Sequence, residues 1–149
     1  MFLQNAVADL LNEADWSFAL AECIHIGGMA VGVGSIALVD FRLLNMGMRH
    51  EPPARVLKYT EPWTLIALVL VLFSGMALYL TQTYIYLRNP IFPIKMYVLV
   101  AALIYNFTIH RKMAAMEKPS PGVSKLVAVV SLLLWVSIVF GGIFTGFLE

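Results

Sequence analysis

The chain has 149 residues and a net charge of +1; 60% of the residues are hydrophobic, only 13% are charged, and the mean hydropathy is +0.82. Soluble domains carry about 25% charged residues, so this composition excludes an ordinary soluble domain and indicates a protein that lies in the lipid bilayer. The lone Cys23 excludes an internal disulfide, the sequence has no nucleotide-binding loop, and we expect no nucleic-acid partner.

The first fifteen residues predict a short amphipathic helix that lies on the membrane surface. Apolar residues recur at helical spacing from Phe2 to Leu11, with Asp9 and Glu13 on the opposite side. The segment lacks the basic n-region and the small-residue cleavage site of a signal peptide. A frayed polar tail is the alternative interpretation.

Four apolar segments follow, and each is long enough to cross the bilayer core, which takes about 20 residues of helix. They cover residues 17–44, 63–84, 92–109 and 123–147, and the connections between them are short. The predicted fold class is therefore all-α: a four-helix transmembrane bundle with a short N-terminal interfacial helix. One integral membrane domain, residues 1–149, uses the whole chain.

Proline marks the predicted boundaries of the first two spans. Pro52 and Pro53 end the first helix, because proline lacks an amide hydrogen and the residue before it avoids helical geometry. Glu61-Pro62-Trp63 predicts the start of the second helix, with the proline in its first turn and the tryptophan as an interfacial anchor.

The lysines and arginines are distributed unevenly over the connections. Arg88 and Lys95 lie on one side of the predicted membrane, and the other eight flank the first and third loops: Arg42, Arg49, Arg55, Lys58, Arg111, Lys112, Lys118 and Lys125. The positive-inside rule therefore predicts that both termini are outside and that the two basic loops are cytoplasmic.

His25 is the main candidate for a functional residue, because it lies about eight residues into the first span and histidine is costly in the hydrocarbon layer. Gly28 and Gly32 share its helix face, so we expect an open slot beside the imidazole that a flat cofactor or a close partner helix fills. Glu22, about one turn nearer the outside, is placed to hydrogen-bond and orient the ring. Met29 lies at the edge of the same face.

Lys95 enters the third span at a depth similar to that of His25, since both spans run from outside to inside. One interpretation is that its ammonium group reaches the lipid headgroups while its stem stays in the apolar layer. The other is that Lys95 balances Glu22 or an anionic ligand group such as a haem propionate.

Three polar residues near the opposite surface complete the set of candidates. His50 and His110 are expected to be solvated at the cytoplasmic interface, too far from His25 to share a metal ion with it. Asp40 is expected near Arg111 and Lys112, as an ion-pair partner that holds the first and third helices together. A proton-relay role for Asp40 is the alternative.

Two glycine pairs have the four-residue spacing that lets transmembrane helices approach closely. They are Gly28 with Gly32 in the first span and Gly142 with Gly146 in the fourth. A single four-helix bundle does not obviously need two such pairs to pack its own helices. We therefore predict a homo-oligomer or a subunit of a larger membrane complex.

Several motifs in combination resemble a bacterial family of small four-span membrane proteins of unknown function, over nearly the whole chain. The motifs are Glu22-Cys-Ile-His25, the glycine-rich run, Asp40-Phe-Arg42-Leu-Leu, Pro62-Trp63 and Asn89-Pro-Ile-Phe92-Pro-Ile-Lys95. The resemblance implies a bacterial inner-membrane location and carries no activity. More loosely, the chain resembles small b-type cytochromes, which place two haem-ligating histidines at matching depth on different helices. Here only His25 is deep.

These observations predict an integral membrane protein that binds haem b in electron transfer, with His25 as an axial ligand of the iron. The second ligand is Lys95, Met29 of a facing chain, His25 of a symmetry mate, or none. One alternative is a non-catalytic anchor or accessory subunit that packs through its glycine faces. Another is a small transporter or channel protomer with Glu22, His25 and Lys95 along a polar path. We do not expect a stand-alone enzyme.

Overall fold

The structure, a computed structural model, describes residues 6, 8–10 and 15–147. The surface helix predicted over the first fifteen residues falls mostly outside the described residues. The described part of the chain contains helices and no strands, which confirms the all-α fold class. Its elements are α1 (Asp15–Leu43), α2 (Pro53–Thr81), α3 (Thr83–Arg88), α4 (Ile91–Tyr105), a π-helical turn (Asn106–His110), α5 (Arg111–Ala115) and α6 (Pro121–Phe147).

Four helices of the described part are long and apolar enough to cross a membrane, as the sequence predicts. They are Trp16–Leu43, Pro53–Thr81, Ile91–Ala115 and Pro121–Gly146. The third of these is continuous through α4, the π-helical turn and α5. The chain is therefore a multi-pass membrane protein, and the many large apolar side chains exposed on its surface suit contact with lipid.

The predicted start of the second span at Trp63 is wrong, because α2 begins at Pro53. Pro53 occupies the first turn of the helix, where the missing amide hydrogen has no intrahelical partner to lose. Pro62 lies inside α2 instead of at its start. Transmembrane helices tolerate such an internal proline when neighbouring helices, hydroxyl side chains or small local adjustments satisfy the freed backbone groups.

The bundle consists of two closely packed pairs, α1 with α2 and α4 with α6, joined by contacts between α1 and α6. Two apolar clusters fill it at different levels along the helices. The central cluster is formed by Ile36, Leu68, Ala102, Trp135 and Ile138. The second cluster lies toward the first and third loops and is formed by Val39, Leu43, Val56, Ala114 and Ala128.

The end of the bundle near α3 is held by Asn89 and by stacked aromatic rings. Asn89 is buried; its side-chain nitrogen donates to the Thr145 carbonyl oxygen at 3.0 Å, and its side-chain oxygen accepts from the Ile91 amide at 2.9 Å. The rings of Tyr79 and Phe92 stack with centroids 5.5 Å apart. These contacts fix the start of α4, the helix that carries Lys95, against α2 and α6.

Candidate functional site

Polar side chains occur at two levels inside the bundle. We call the level of His25 and Lys95 the His25 half, and the level of Asp40 and His110 the Asp40 half. Fifteen residues of α1 separate His25 from Asp40, which corresponds to about 22 Å along the helix axis at about 1.5 Å per residue.

His25 is held in place by α2. Its Nδ1 atom lies 3.0 Å from the carbonyl oxygen of Val71 and 3.0 Å from the hydroxyl oxygen of Ser74. A carbonyl oxygen can only accept, so Nδ1 carries the proton and donates it. The Ser74 hydroxyl donates its own proton to the Leu70 carbonyl oxygen at 2.6 Å, which leaves its oxygen free to accept. Nε2, the second ring nitrogen, forms no hydrogen bond with a described residue.

Gly75 makes room for the imidazole. A methyl group placed on Gly75 would lie 2.8 Å from Cε1 and 3.3 Å from Nδ1 of His25. Any side chain at this position would therefore displace the ring. Sequence reasoning missed this role, although Gly75 is the single glycine of the second span and directly follows the serine that bonds His25.

The expected open slot along Gly28 and Gly32 is filled by α2 of the same chain. A methyl group on Gly28 would lie 2.8 Å from Cγ2 of Val71, and one on Gly32 would lie 3.4 Å from Cβ of Ala67. The sequence allowed either a flat cofactor or a close partner helix at this position, and the structure shows the helix. A flat ring lying on these two glycines does not fit the structure.

Glu22 and Met29 are not the immediate neighbours of the imidazole that we expected. The side chain of Glu22 is exposed, and the groups that orient the ring are Val71 and Ser74. Met29 is half-buried and packs against the central apolar cluster. The sequence pattern places both residues near His25 along α1 but cannot show which neighbouring helix covers each face.

Lys95 lies on the glycines of α6. A methyl group on Gly141 would be 3.5 Å from Cβ of Lys95, and one on Gly142 would be 3.2 Å from its Nζ. Gly142 therefore accommodates a lysine of its own chain, whereas nothing described lies within 4 Å of such a group on Gly146. Within the described residues, Lys95 has no ion pair with a carboxylate.

His25 and Lys95 lie in the same half of the bundle, with Gly75 beside the imidazole and Gly141 and Gly142 beside the lysine. His25 belongs to α1 and is hydrogen-bonded to α2, whereas Lys95 belongs to α4 and packs on α6. The imidazole and the lysine amine therefore come from different helix pairs of the bundle.

The Asp40 half contains a second, fully enclosed polar cluster. One carboxylate oxygen of Asp40 lies 2.7 Å from Nε2 of His110, and the other accepts from the Ser131 hydroxyl at 2.8 Å. The exposed fractions of these residues are 0% for Asp40, 2% for His110 and 0% for Ser131. Asp40 thus joins α1 to the third span, as predicted, and also to α6.

Two details of the prediction for this region are wrong. His110 is buried instead of solvated, and the partner of Asp40 is His110 instead of Arg111, which pairs with Glu61 at 2.5 Å. The π-helical turn at residues 106–110 explains the difference, because a wider turn changes the direction of the side chains that follow it. His50 is exposed, as expected.

No group of three or more histidine, cysteine, aspartate and glutamate side chains in the described chain is arranged to hold a metal ion. A metal centre at His25 would therefore need ligands from another source, such as a porphyrin ring. His25 is the histidine and Lys95 the lysine in the described part of that half.

Residues 16–148 match the Family of unknown function (DUF6644). The chain belongs to this family, because the match covers most of its length. No curated protein and no solved structure matches it.

Proposed function

We propose that this member of the family is a membrane protein that binds haem b and transfers electrons, with Nε2 of His25 as an axial ligand of the iron. The observation that carries the proposal is the hydrogen bond from Nδ1 to the Val71 carbonyl oxygen. Metal-ligating histidines characteristically donate their other ring nitrogen to a carbonyl or carboxylate, which fixes the ring and raises its basicity. The same bond leaves the lone pair on Nε2 uncommitted.

Lys95 is the residue that would complete the site. It is half-buried and has no carboxylate partner among the described residues, so its amino group is available. As a neutral amine it would be a second nitrogen ligand for the iron; as an ammonium ion it would pair with a propionate.

His25 and Lys95 are the side chains that would hold haem, and the surface around it would differ from the one that the glycines suggested. Since α2 covers Gly28 and Gly32, these glycines would not hold the group, and the residues that would hold it are His25 of the pair α1–α2 and Lys95 of the pair α4–α6. The helices α2 and α4 are bridged in this half by the stacked rings of Tyr79 and Phe92 and are not closely packed along their backbones. Haem would supply a one-electron redox centre, and the chain would bind it, orient it and exclude water.

The remaining parts of the proposal concern location and assembly. We infer a bacterial inner membrane with both termini outside, which the uneven distribution of lysine and arginine supports. Gly28, Gly32 and Gly142 are packed within the chain, so fewer glycines than the sequence suggested are left for contacts in a homo-oligomer or larger complex. Gly146 is the member of the two pairs that is still open to a partner.

Haem content tests the proposal. The parent protein, His25→Ala and His50→Ala are produced with haem available, purified in mild detergent and measured by absorption and pyridine haemochrome assay. We expect b-type haem in the parent and in His50→Ala, whose changed side chain is exposed, and its loss from His25→Ala. A haem-free parent, or unchanged haem in His25→Ala, would overturn the proposal.

Lys95→Ala separates the two roles of the lysine. If Lys95 ligates the iron, this variant changes the spin state and the ligand-field bands of bound haem. If Lys95 pairs with a propionate, haem binds more weakly and the ligand-field bands are unchanged. Lys125→Ala, an exposed lysine at the start of α6, is the matched control.

A further inference from the structure

The Asp40–His110 pair is buried, so the number of protons that it holds decides whether a net charge is buried with it. A carboxylate with a neutral imidazole carries one net negative charge, which is costly where the side chains are 0% and 2% exposed. One added proton neutralises the pair, whether it is held as imidazolium with carboxylate or as imidazole with carboxylic acid. The Ser131 hydroxyl donates to the second carboxylate oxygen at 2.8 Å and stabilises the charged form.

A small cavity adjoins His110. Its volume is about 20 Å³, and the polar residues Thr64, Asn106 and His110 are among those that line it. A cavity of this size holds one water molecule, which needs two or more polar partners. The side-chain oxygen of Asn106 is buried and has no partner among the described residues, and the residue is only 6% exposed. An enclosed, unsatisfied acceptor of this kind indicates a bound water.

The cavity leads to one face of the bundle. Glu61, Arg111, Leu57 and Phe107 line both the cavity and a wider groove that opens beside the first and third loops. Lys58 and Lys112 line the same groove. Toward the His25 half the path is closed by the central apolar cluster, whose Ile36 and Trp135 lie one helical turn beyond Asp40 and Ser131.

We propose that Asp40, His110 and Ser131 form an intramembrane proton-binding site, loaded from the loop face through the Glu61–Arg111 pair and a water at Asn106. Nε2 of His110 is committed to Asp40, so the incoming proton binds Nδ1, for which no described residue is a partner. The water gives this proton up and regains one from the groove. The Nε2 proton then stays on His110 or moves to Asp40. The net charge of the pair changes from −1 to 0.

The other polar and charged groups near the Asp40–His110 pair have partners of their own or face the cavity. From the third span, the Tyr105 hydroxyl donates its proton to the Val127 carbonyl oxygen at 3.0 Å and not to Asp40. From α2, Glu61 and Thr64 face the cavity and not the carboxylate itself. Arg42, on the helix of Asp40, donates to the Glu51 carbonyl oxygen and to Asn45.

The test is ¹⁵N NMR of histidine-labelled protein in lipid nanodiscs, over a range of pH. The chain has three histidines, so His110 is identified by the signal missing in His110→Gln. If that variant does not fold, His25→Ala and His50→Ala identify it by elimination. We expect Nδ1 of His110 to gain a proton as the pH falls, and Ser131→Ala to move the transition. Ser137→Ala, whose exposed hydroxyl bonds its own helix, is the matched control and leaves it unchanged.

Access is tested by the exchange rate of the Nδ1 proton with water. Asn106→Leu removes the acceptor and fills the cavity, so we expect exchange to slow by about tenfold or more, which corresponds to about 1.4 kcal/mol in the barrier. Tyr97→Leu, an exposed position of the same span, is the control. A His110 Nδ1 that never titrates, or exchange that Asn106→Leu leaves unchanged, overturns the proposal. Neither measurement requires haem, so the outcome is independent of the function proposed for His25.

Discussion

Gly75→Ala is expected to destabilise the bundle by displacing His25. The added methyl group would lie 2.8 Å from Cε1 of the imidazole, which is closer than packed carbon atoms approach one another. The ring cannot yield freely, because Val71 and Ser74 hold Nδ1 at 3.0 Å each. Either the helices separate, or the ring moves and gives up both hydrogen bonds.

Both responses have a comparable cost. Overpacking a well-packed interior costs about 1–3 kcal/mol. Loss of the hydrogen bonds costs about 0.5–1.5 kcal/mol for each one broken. We therefore expect Gly75→Ala to be less stable by about 1–3 kcal/mol than a helical Gly→Ala variant whose methyl group meets no neighbour, whichever response the protein makes.

The assay is reversible unfolding in mixed detergent micelles, followed by circular dichroism, with Gly34→Ala as the control. A methyl group on Gly34 meets nothing within 4 Å, so this variant changes only helix propensity, which favours alanine by about 0.5–1 kcal/mol. Equal stability of the Gly75→Ala and Gly34→Ala variants would refute the packing of His25 on Gly75.

The remaining predictions concern the α3 end, the topology and the assembly. Asn89→Ala removes two hydrogen bonds of a buried side chain and should lower the free energy of unfolding by about 1–3 kcal/mol in the same assay; parent-like stability would contradict its role in fixing α4. Reporter fusions after Glu149 should be active outside the cytoplasm and fusions in the loop at residues 49–58 inside it; a cytoplasmic C-terminus contradicts the orientation. Gly146→Leu should disrupt assembly measured by native mass spectrometry, and a monomeric parent would exclude the oligomer.

The sequence predicts the fold of this chain well, because crossing a bilayer requires long apolar helices whatever they pack against. The position of a helix end is harder to predict where two residues could each mark it. Pro53 and Pro62 both resemble the first turn of a helix, and only the structure shows that α2 begins at Pro53. Helical spacing in α1 identifies which residues share a face and contains no information about the helix that covers that face.

For the candidate sites too, the sequence identifies unusual residues but does not show which residues of other helices they contact. His25 and Lys95 are recognisable because charged or polar side chains are rare at that depth. The partners of His25 are 46 and 49 residues away in the chain, and the Asp40–His110 pair is separated by 70 residues. His110 was misjudged because the π-helical turn changes side-chain direction just where the third span was predicted to end. The serines of α6 at positions 124 and 131, both buried, were a signal that could have indicated a polar interior there.

Chemical rescue of the His25→Gly variant tests the ligand role of His25 most directly. The variant lacks the imidazole but keeps the space that Gly75 provides for it. We expect the parent to contain b-type haem, His25→Gly to lose it or show altered iron ligation, and added imidazole to restore the absorption spectrum of the parent. A parent without haem, or a His25→Gly variant whose haem spectrum equals that of the parent before imidazole is added, would contradict the account.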